Sequence, residues 1–404
     1  MGTVLIFRGV SMEEQQNWKA RLRRLSPYII VALVSAAVAV GVTLLVVFCN
    51  RSKLTRLEQI IDKYYIGDVD KTAIEDAAAA AMVDALGNPW SYYIPASEYQ
   101  AHLDRQANTY VGIGITIQAK EDGAGFDVVK VEAGGGAEAA GIKAGDTLIA
   151  VEGQKIKDLG YETATAMIRG EVGTKVNVTV LRDGQQMEFA PERKLLQTIV
   201  AKGQMLENNI GLVTIKNFNQ RCAEETIAII EDLQSQGAES LIFDVRFNPG
   251  GYKDELVQVL DYLLPEGDLF RSVDYSGKEE IDTSDSSCLK MPMVVLLNGD
   301  SYSAAEFFAA ALREYEWATL VGQPSTGKSH FQITIPISDG SAVNLSIGKY
   351  YTPKGVSLAD EGGLKPDVEV TIDNETYAAI YNETLEPAED PQIQAALEVL
   401  KSGK

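Results

Sequence analysis

Histidine and cysteine are scarce in this chain. Of 404 residues only His102 and His330 are histidine, and only Cys49, Cys222 and Cys288 are cysteine. Two histidines cannot build a His-rich metal centre, and no cysteine pair has the spacing of a metal-ligand or redox motif. No metal and no cofactor is therefore expected. One disulfide, Cys222 with Cys288, is chemically open, but no spacing signal asks for it. Basic charge is also short, with 36 Lys and Arg against 57 Asp and Glu and a net charge of -21. Such a chain lacks the footprint that phosphate neutralisation needs, which excludes nucleic acid as an expected partner. Hydrophobic residues at 46% and charged residues at 23% exclude a disordered chain. The length asks for two or three domains.

Charge is missing altogether between Leu25 and Asn50. The apolar run 29–48 within it is long enough to cross a hydrocarbon core of about 30 Å. No small-residue cleavage site follows, and Val47-Phe48 before Cys49 does not resemble a lipid-attachment site. We expect an uncleaved, single-pass anchor over 27–49 behind a cytoplasmic segment 1–26. Lys19, Arg21, Arg23 and Arg24 precede the run, and Arg51, Lys53 and Arg56 follow it. The bias places the N-terminus inside and the bulk of the chain on the extracytoplasmic side of the cell membrane. Met12 is an alternative start, since Met1 to Ser11 adds little.

The remainder changes character three times. Residues 50–107 read as an alanine-rich helical region with Asp70 as a cap and a break at Asn88-Pro89. Trp90, Tyr92 and Tyr93 follow that break and read as packing aromatics. Residues 108–194 carry short β-type runs at 112–117, 126–131, 147–151 and 175–181, a helix at 162–168 and a hairpin turn at 182–185. Residues 195–384 alternate strands (210–215, 241–245, 294–298) with helices (222–237, 254–263, 303–313), the pattern of an α/β layer fold. Residues 385–404 end in a helix with apolar spacing.

Ser303 stands where an apolar strand hands over to a helix, beside the positive end of the helix dipole. Lys328 lies in the glycine-punctuated loop Gly322-Gln-Pro-Ser-Thr-Gly-Lys328. A Ser-His site would need His330, which shares a strand face with Lys328, or His102, which sits in a polar helix. A Ser-Lys site would need the amine to lose about 3 pKa units from its ordinary value near 10.4, about 4 kcal/mol, which burial can supply. An ordinary surface lysine is the plain alternative. Ser301, in Gly299-Asp-Ser301-Tyr-Ser303, imitates a nucleophile elbow but lacks its second glycine.

Tyr110-Val-Gly-Ile-Gly-Ile115, Ala140-Gly-Ile-Lys-Ala-Gly-Asp146, Val151-Glu-Gly153 and Gly173-Thr-Lys-Val-Asn-Val178 resemble a PDZ domain. The resemblance implies that Val111, Gly112, Ile113 and Gly114 present backbone amides to a peptide carboxylate, and that the peptide adds a strand to the sheet edge. Gly135-Gly136-Ala137 stands where such domains often have Ser-Pro-Ala. Further motifs resemble the C-terminal processing peptidases, or tail-specific proteases: Ser301-Tyr-Ser-Ala-Ala-Glu306, Gly327-Lys328, Gln332, Asp244-Val-Arg246-Phe-Asn-Pro-Gly-Gly251, Lys349-Tyr-Tyr-Thr-Pro-Lys-Gly355, Gly363-Leu-Lys-Pro-Asp367 and Asn88-Pro-Trp-Ser-Tyr-Tyr93. That resemblance runs from about Leu54 to the C-terminus.

The family implies an α/β protease core, a mixed sheet with flanking helices, with an inserted PDZ domain. It implies Ser303 as nucleophile, Lys328 as general base, Gln332 as the residue that orients the amine, and the amides of Ala304 and of Gly250 or Gly251 as the oxyanion hole. Glu306 would hold the helix start or the loop. Asp244 and Arg246 would pair beneath the site, as a structural or a functional couple. Arg169 would link the PDZ segment to the site or stay solvated. Ala305 replaces a frequent serine and Ser329-His330 a more usual Gly-Thr. The implied activity is a membrane-anchored serine endopeptidase that captures protein or peptide substrates by a free, apolar C-terminus, and the family adds a homodimer through the 54–105 and 390–400 helices. Two other readings stay open: a tethered PDZ scaffold on an inactive hydrolase fold, and a Ser-His hydrolase of small esters.

Overall fold

The computed structural model describes residues 31–41, 52–120 and 122–402. These fall into two units, one ending at Glu75 and the other running from Asp76. In the first, 31–41 is helical and exposed. The rest of the expected anchor lies outside the described residues, and among the described residues no helix is long and apolar enough to cross a membrane. The helix Lys53–Tyr64 is capped by Ser52, whose Oγ accepts the Thr55 N–H at 3.2 Å, and it leaves Leu54, Leu57 and Ile60 exposed. Asp70 caps the helix Lys71–Asp84, accepting the Ala73 N–H at 3.0 Å, as its sequence position predicts.

The second unit is organised by a six-stranded sheet in the order Ala201–Leu206, Ile210–Ile215, Ser240–Asp244, Met293–Leu297, Ala318–Gly322, Val368–Glu369. The first pair is antiparallel and the other four are parallel. Alternation along the central strands gives each face its own core. Leu241, Phe243, Met293, Val295 and Leu297 pack under the helices Cys222–Ser235, Lys253–Leu263 and Ala304–Glu314. Ile242, Val294, Leu296 and Val321 face Ile393 and Ala396 of the C-terminal helix Pro391–Ser402. Helices thus cover both faces of the sheet, which allows its central strands to be apolar throughout.

A second sheet joins segments far apart in the chain. Ala342–Tyr351 is bordered by Tyr92–Ile94, Gly267–Asp274 and His330–Pro336, with Glu279–Ser284 beyond. The aromatic segment after Asn88-Pro89 is therefore a strand of the protease half rather than part of a helical region, with Tyr92 opposite Asn344. Pairing with a distant partner overrides the local helical composition.

Between these parts stands a β-rich domain whose buried core includes Ile113, Phe126, Leu148, Ile168 and Val178. Its strand Val178–Arg182 begins three residues later than the apolar run predicts. Thr174 and Val176 bond instead to the returning chain at Arg193 and Pro191. The two chain segments that bound the domain, Thr109–Gly112 and Lys194–Gln197, pair with each other antiparallel. Cys222 and Cys288 are both free thiols.

Arg246 lies 6% exposed at the end of a central strand. Its Nε and Nη2 donate to the two oxygens of Asp244 at 2.9 and 2.6 Å, and its Nη1 donates to Asp390 Oδ2 at 2.8 Å and Gln392 Oε1 at 2.9 Å. Burial works against its charge, but the two carboxylates outweigh burial and hold its pKa above the ordinary range. The pair predicted beneath the site is thus a four-residue network that pins the start of the C-terminal helix to the sheet. Removing the cation strands two buried carboxylates. Arg246→Leu should cost about 3–5 kcal/mol of stability, read as a lowered urea midpoint at an unchanged slope.

Candidate active site

Ser303 sits at the carboxyl end of the parallel strand Met293–Leu297, immediately before the helix Ala304–Glu314. Its backbone takes φ 59° and ψ -126°, a left-handed conformation that a serine adopts only when its surroundings impose it. Neighbouring turns impose it. The Tyr302 N–H donates to the Asn248 carbonyl at 3.1 Å, and the Ser301 N–H to Asn298 at 2.9 Å. Ser301 itself is fully buried, its hydroxyl donating to the Val245 carbonyl at 2.8 Å and accepting the Asn298 N–H at 3.0 Å. It is consumed in holding the turn.

Glu306 ties this turn to the lysine loop. Its Oε2 accepts the backbone N–H of Ser303 at 2.8 Å, the acidic half of a capping box, and the backbone N–H of Lys328 at 2.8 Å. Its Oε1 accepts the Gly327 N–H at 2.6 Å and the Ser325 hydroxyl. The carboxylate is fully buried, and burial pushes its pKa up while these four donors pull it back. Gly327 has φ 86°, and a Cβ there would lie 2.7 Å from the Gly363 nitrogen, so only glycine lets the loop close. Glu306 thus holds both the helix start and the loop.

The Lys328 amine makes no hydrogen bond and no ion pair among the described residues. Instead Nζ lies 4.7 Å from the centre of the Trp90 ring and 5.6 Å from that of Tyr302. These two rings stack on each other at 5.7 Å and 30°. Burial brings the lysine pKa down to about 8, opposed by the charge of Glu306. Gln332 does not touch the amine. Its Nε2 donates to the His330 carbonyl at 2.8 Å and to Ser346 Oγ at 3.1 Å. His330 opens the strand His330–Pro336 opposite Lys349, and burial followed by Lys349 lowers its pKa below the usual histidine value. His102 is buried, stacked on Tyr99 and 3.4 Å from Thr334 Oγ1.

The Asn248-Pro-Gly-Gly251 turn follows the strand Ser240–Asp244 and abuts the Ser303 turn. A Cβ on Gly250 would lie 2.7 Å from Ser303 Cβ and 2.8 Å from the Ala304 nitrogen. Only glycine fits there, and its φ of 86° also demands it. The Gly250 N–H donates to Asn248 Oδ1 at 2.8 Å. Of the two glycines named from sequence, Gly251 is therefore the one whose amide is unspent among the described residues.

In the β-rich domain, Val111, Gly112, Ile113 and Gly114 line a groove of about 130 Å³ with Ile115, Tyr161, Thr165 and Ile168. Arg169 also lines this groove and makes no ion pair among the described residues. A larger cavity of about 600 Å³, between Lys290, Trp317 and Leu400, lies at the amino ends of the central strands. Chemistry in such sheets belongs at the carboxyl ends, where Ser303, Lys328 and the glycine turn converge. Sequence reasoning missed Ser325, which the lysine loop itself carries. It also read Trp90 as packing, and nothing local signals that this ring covers Lys328.

Comparison with known proteins agrees with this architecture. Residues 209–370 match the profile of peptidase family S41, and residues 100–181 that of the PDZ domain. The chain is 31% identical over 323 residues to the carboxy-terminal processing protease CtpA of Bacillus subtilis, which covers 79% of this chain and 69% of that protein. It is 29% identical over 339 residues to a carboxyl-terminal-processing protease of Synechocystis, covering 82% and 77%. A solved structure from Bacteroides fragilis described as an S41 protease shares the fold, at a TM-score of 0.53 and 16% identity over 83% of this chain and 91% of that one. The glycine turn, the serine turn and the PDZ groove thus stand in a chain that belongs to the C-terminal processing serine protease family, peptidase family S41.

Proposed function

We propose that this chain is a membrane-anchored endopeptidase in which Ser303 attacks the scissile carbonyl and Lys328 accepts the serine proton. As the Oγ–carbon bond forms, the proton moves to Nζ and the oxyanion is held by the amides of Ala304 and Gly251. The carbon–nitrogen bond then breaks as Nζ returns the proton to the leaving amine. Water repeats the sequence on the acyl-enzyme, with Lys328 again as base and Ser303 as leaving group. One observation carries this reading: a single oxygen of Glu306 holds the backbone N–H of both Ser303 and Lys328. The strained backbone of Ser303 and the unpaired, half-buried amine support it as well. The PDZ groove would seat an apolar C-terminus, its carboxylate on the 111–114 amides. The run 27–49 would anchor the chain, with the catalytic part outside the cytoplasm. Self-association through the exposed apolar face of Lys53–Tyr64 completes the reading, and a monomer in sedimentation would remove that part.

The base must be neutral to act, so kcat/KM should rise with pH through a limb near 8, the value to which burial brings Lys328. A limb below 6.5 that vanishes in His330→Ala would instead make His330 the base. Ser303→Ala and Lys328→Ala should each abolish cleavage of an unfolded polypeptide by the full chain in detergent. A wild-type chain that neither cleaves nor labels with a fluorophosphonate would return the scaffold reading.

Lys328 also sets a stability prediction. Its folded-state value lies below the ordinary 10.5, so between about pH 8 and 10.5 the unfolded chain binds more protons and stability climbs with pH. Below that window the buried ammonium costs up to about 3 kcal/mol. Lys328→Met should therefore raise the urea midpoint at pH 7 while removing activity, and the gain should fade by pH 10.5.

For the groove, amidating the substrate C-terminus should lower kcat/KM about tenfold, equivalent to about 1.4 kcal/mol of lost carboxylate binding. Equal turnover of free and amidated peptides would exclude carboxylate capture.

A further inference from the structure

Trp90 has an environment that packing does not explain. It belongs to none of the three buried hydrophobic clusters, and its indole N–H has no partner among the described residues. Yet its backbone is braced from two sides. Asn88 Oδ1 accepts the Trp90 N–H at 3.0 Å, the Ser91 hydroxyl at 3.2 Å and the Ser346 hydroxyl at 3.0 Å. Asn344 Nδ2 donates to the Trp90 carbonyl at 3.1 Å, and the strand that follows pairs Tyr92 with Asn344. This brace spends four hydrogen bonds on fixing a ring whose face then meets Tyr302 and the Lys328 amine. Gln332 enters the same brace through Ser346 Oγ.

We propose that Trp90 is a positioning residue of the reaction: with Tyr302 it forms an aromatic seat that keeps water from the Lys328 amine and receives it when it carries the serine proton. This rests on the reading of Lys328 as the base. The two rings serve both protonation states. Their bulk replaces solvent around the neutral amine, which favours loss of its proton. Their negative faces attract the ammonium that forms at the transition state, without the fixed counter-charge that would hold the proton permanently. The charged and titratable groups facing the amine are Glu306, whose carboxylate favours the ammonium, His330 beyond the loop, and the Tyr302 phenol. None of them bonds to Nζ, so the rings are its direct partners. The seat is assembled from the residue before the nucleophile and from a segment that precedes the PDZ domain, outside the 209–370 stretch matched to the peptidase family.

The test compares wild type, Trp90→Phe, Trp90→Ala and Lys328→Met as full chains in detergent. The pH dependence of kcat/KM and of Ser303 labelling by a small fluorophosphonate is followed for the first three. Trp90→Ala admits water, so the limb should move up by about one pH unit or more toward ordinary lysine, a loss of about tenfold at pH 7. Trp90→Phe keeps an aromatic face and should hold the limb within a few tenths of a unit. A second measurement needs no catalysis. In Ser303→Ala chains, the tryptophan fluorescence that Trp90→Phe removes should titrate with a midpoint near 8, and Lys328→Met should abolish that titration. A limb that stays in place in Trp90→Ala, or fluorescence that ignores Lys328, overturns the seat. If Lys328→Met still cleaves, the base assignment fails instead, whatever the fluorescence shows.

Discussion

One buried carboxylate sets the geometry on which this site depends. Glu306 stands on the first turn of the helix that follows Ser303, where the helix dipole favours negative charge. From there it collects donors from the serine turn and from the 325–328 loop. Leaving a buried donor unmade costs about 1–3 kcal/mol each. The two backbones therefore cannot separate without losing several such bonds together. The Ser303 turn and the Lys328 loop are held together through main-chain atoms rather than through flexible side chains.

The rest of the protease half supports that arrangement at longer range. Parallel strands bring the glycine turn, the serine turn and the lysine loop together at the carboxyl ends of the central strands. Asn248 joins the first two, its carbonyl accepting from Tyr302 while its side chain accepts from Gly250 and donates to Ile215. Beneath them, Arg246 binds Asp244, Asp390 and Gln392, so the C-terminal helix is part of the same rigid base. Above this base the Lys328 amine makes no hydrogen bond among the described residues and meets the rings of Trp90 and Tyr302 instead.

What was legible in the sequence follows the range of the interactions involved. The Ser303 turn is local: an apolar strand, a tight turn and a helix within some twenty residues fix it, and the structure agrees within a residue. Three strands of the core, at 210–215, 240–244 and 293–297, were equally plain, because burial on both faces makes them continuously apolar, whereas Ala318–Gly322 and Val368–Glu369 were not read as strands. Lys328 stood out through its motif rather than through propensity. Contacts between distant segments were not legible. Tyr92–Ile94 sits in helical surroundings yet becomes a strand, and Trp90 meets Lys328 only after the chain has folded back. Gly250 and Gly251 could not be told apart until the Asn248 side chain was seen to claim one amide. Gln332, placed beside the amine by resemblance, bonds to Ser346 instead, since a bulge between Phe331 and Gln332 shifts the register of its strand.

The pairing of Tyr92 with Asn344 spans roughly 250 residues of chain. Contacts so remote form late, after the intervening polypeptide has been made and its loop-closure entropy met. During translation the segment bearing Trp90 leaves the ribosome long before the strand that braces it. A nascent chain thus cannot brace the ring that covers Lys328 until nearly all of it has been synthesised, so this corner of the molecule is completed last.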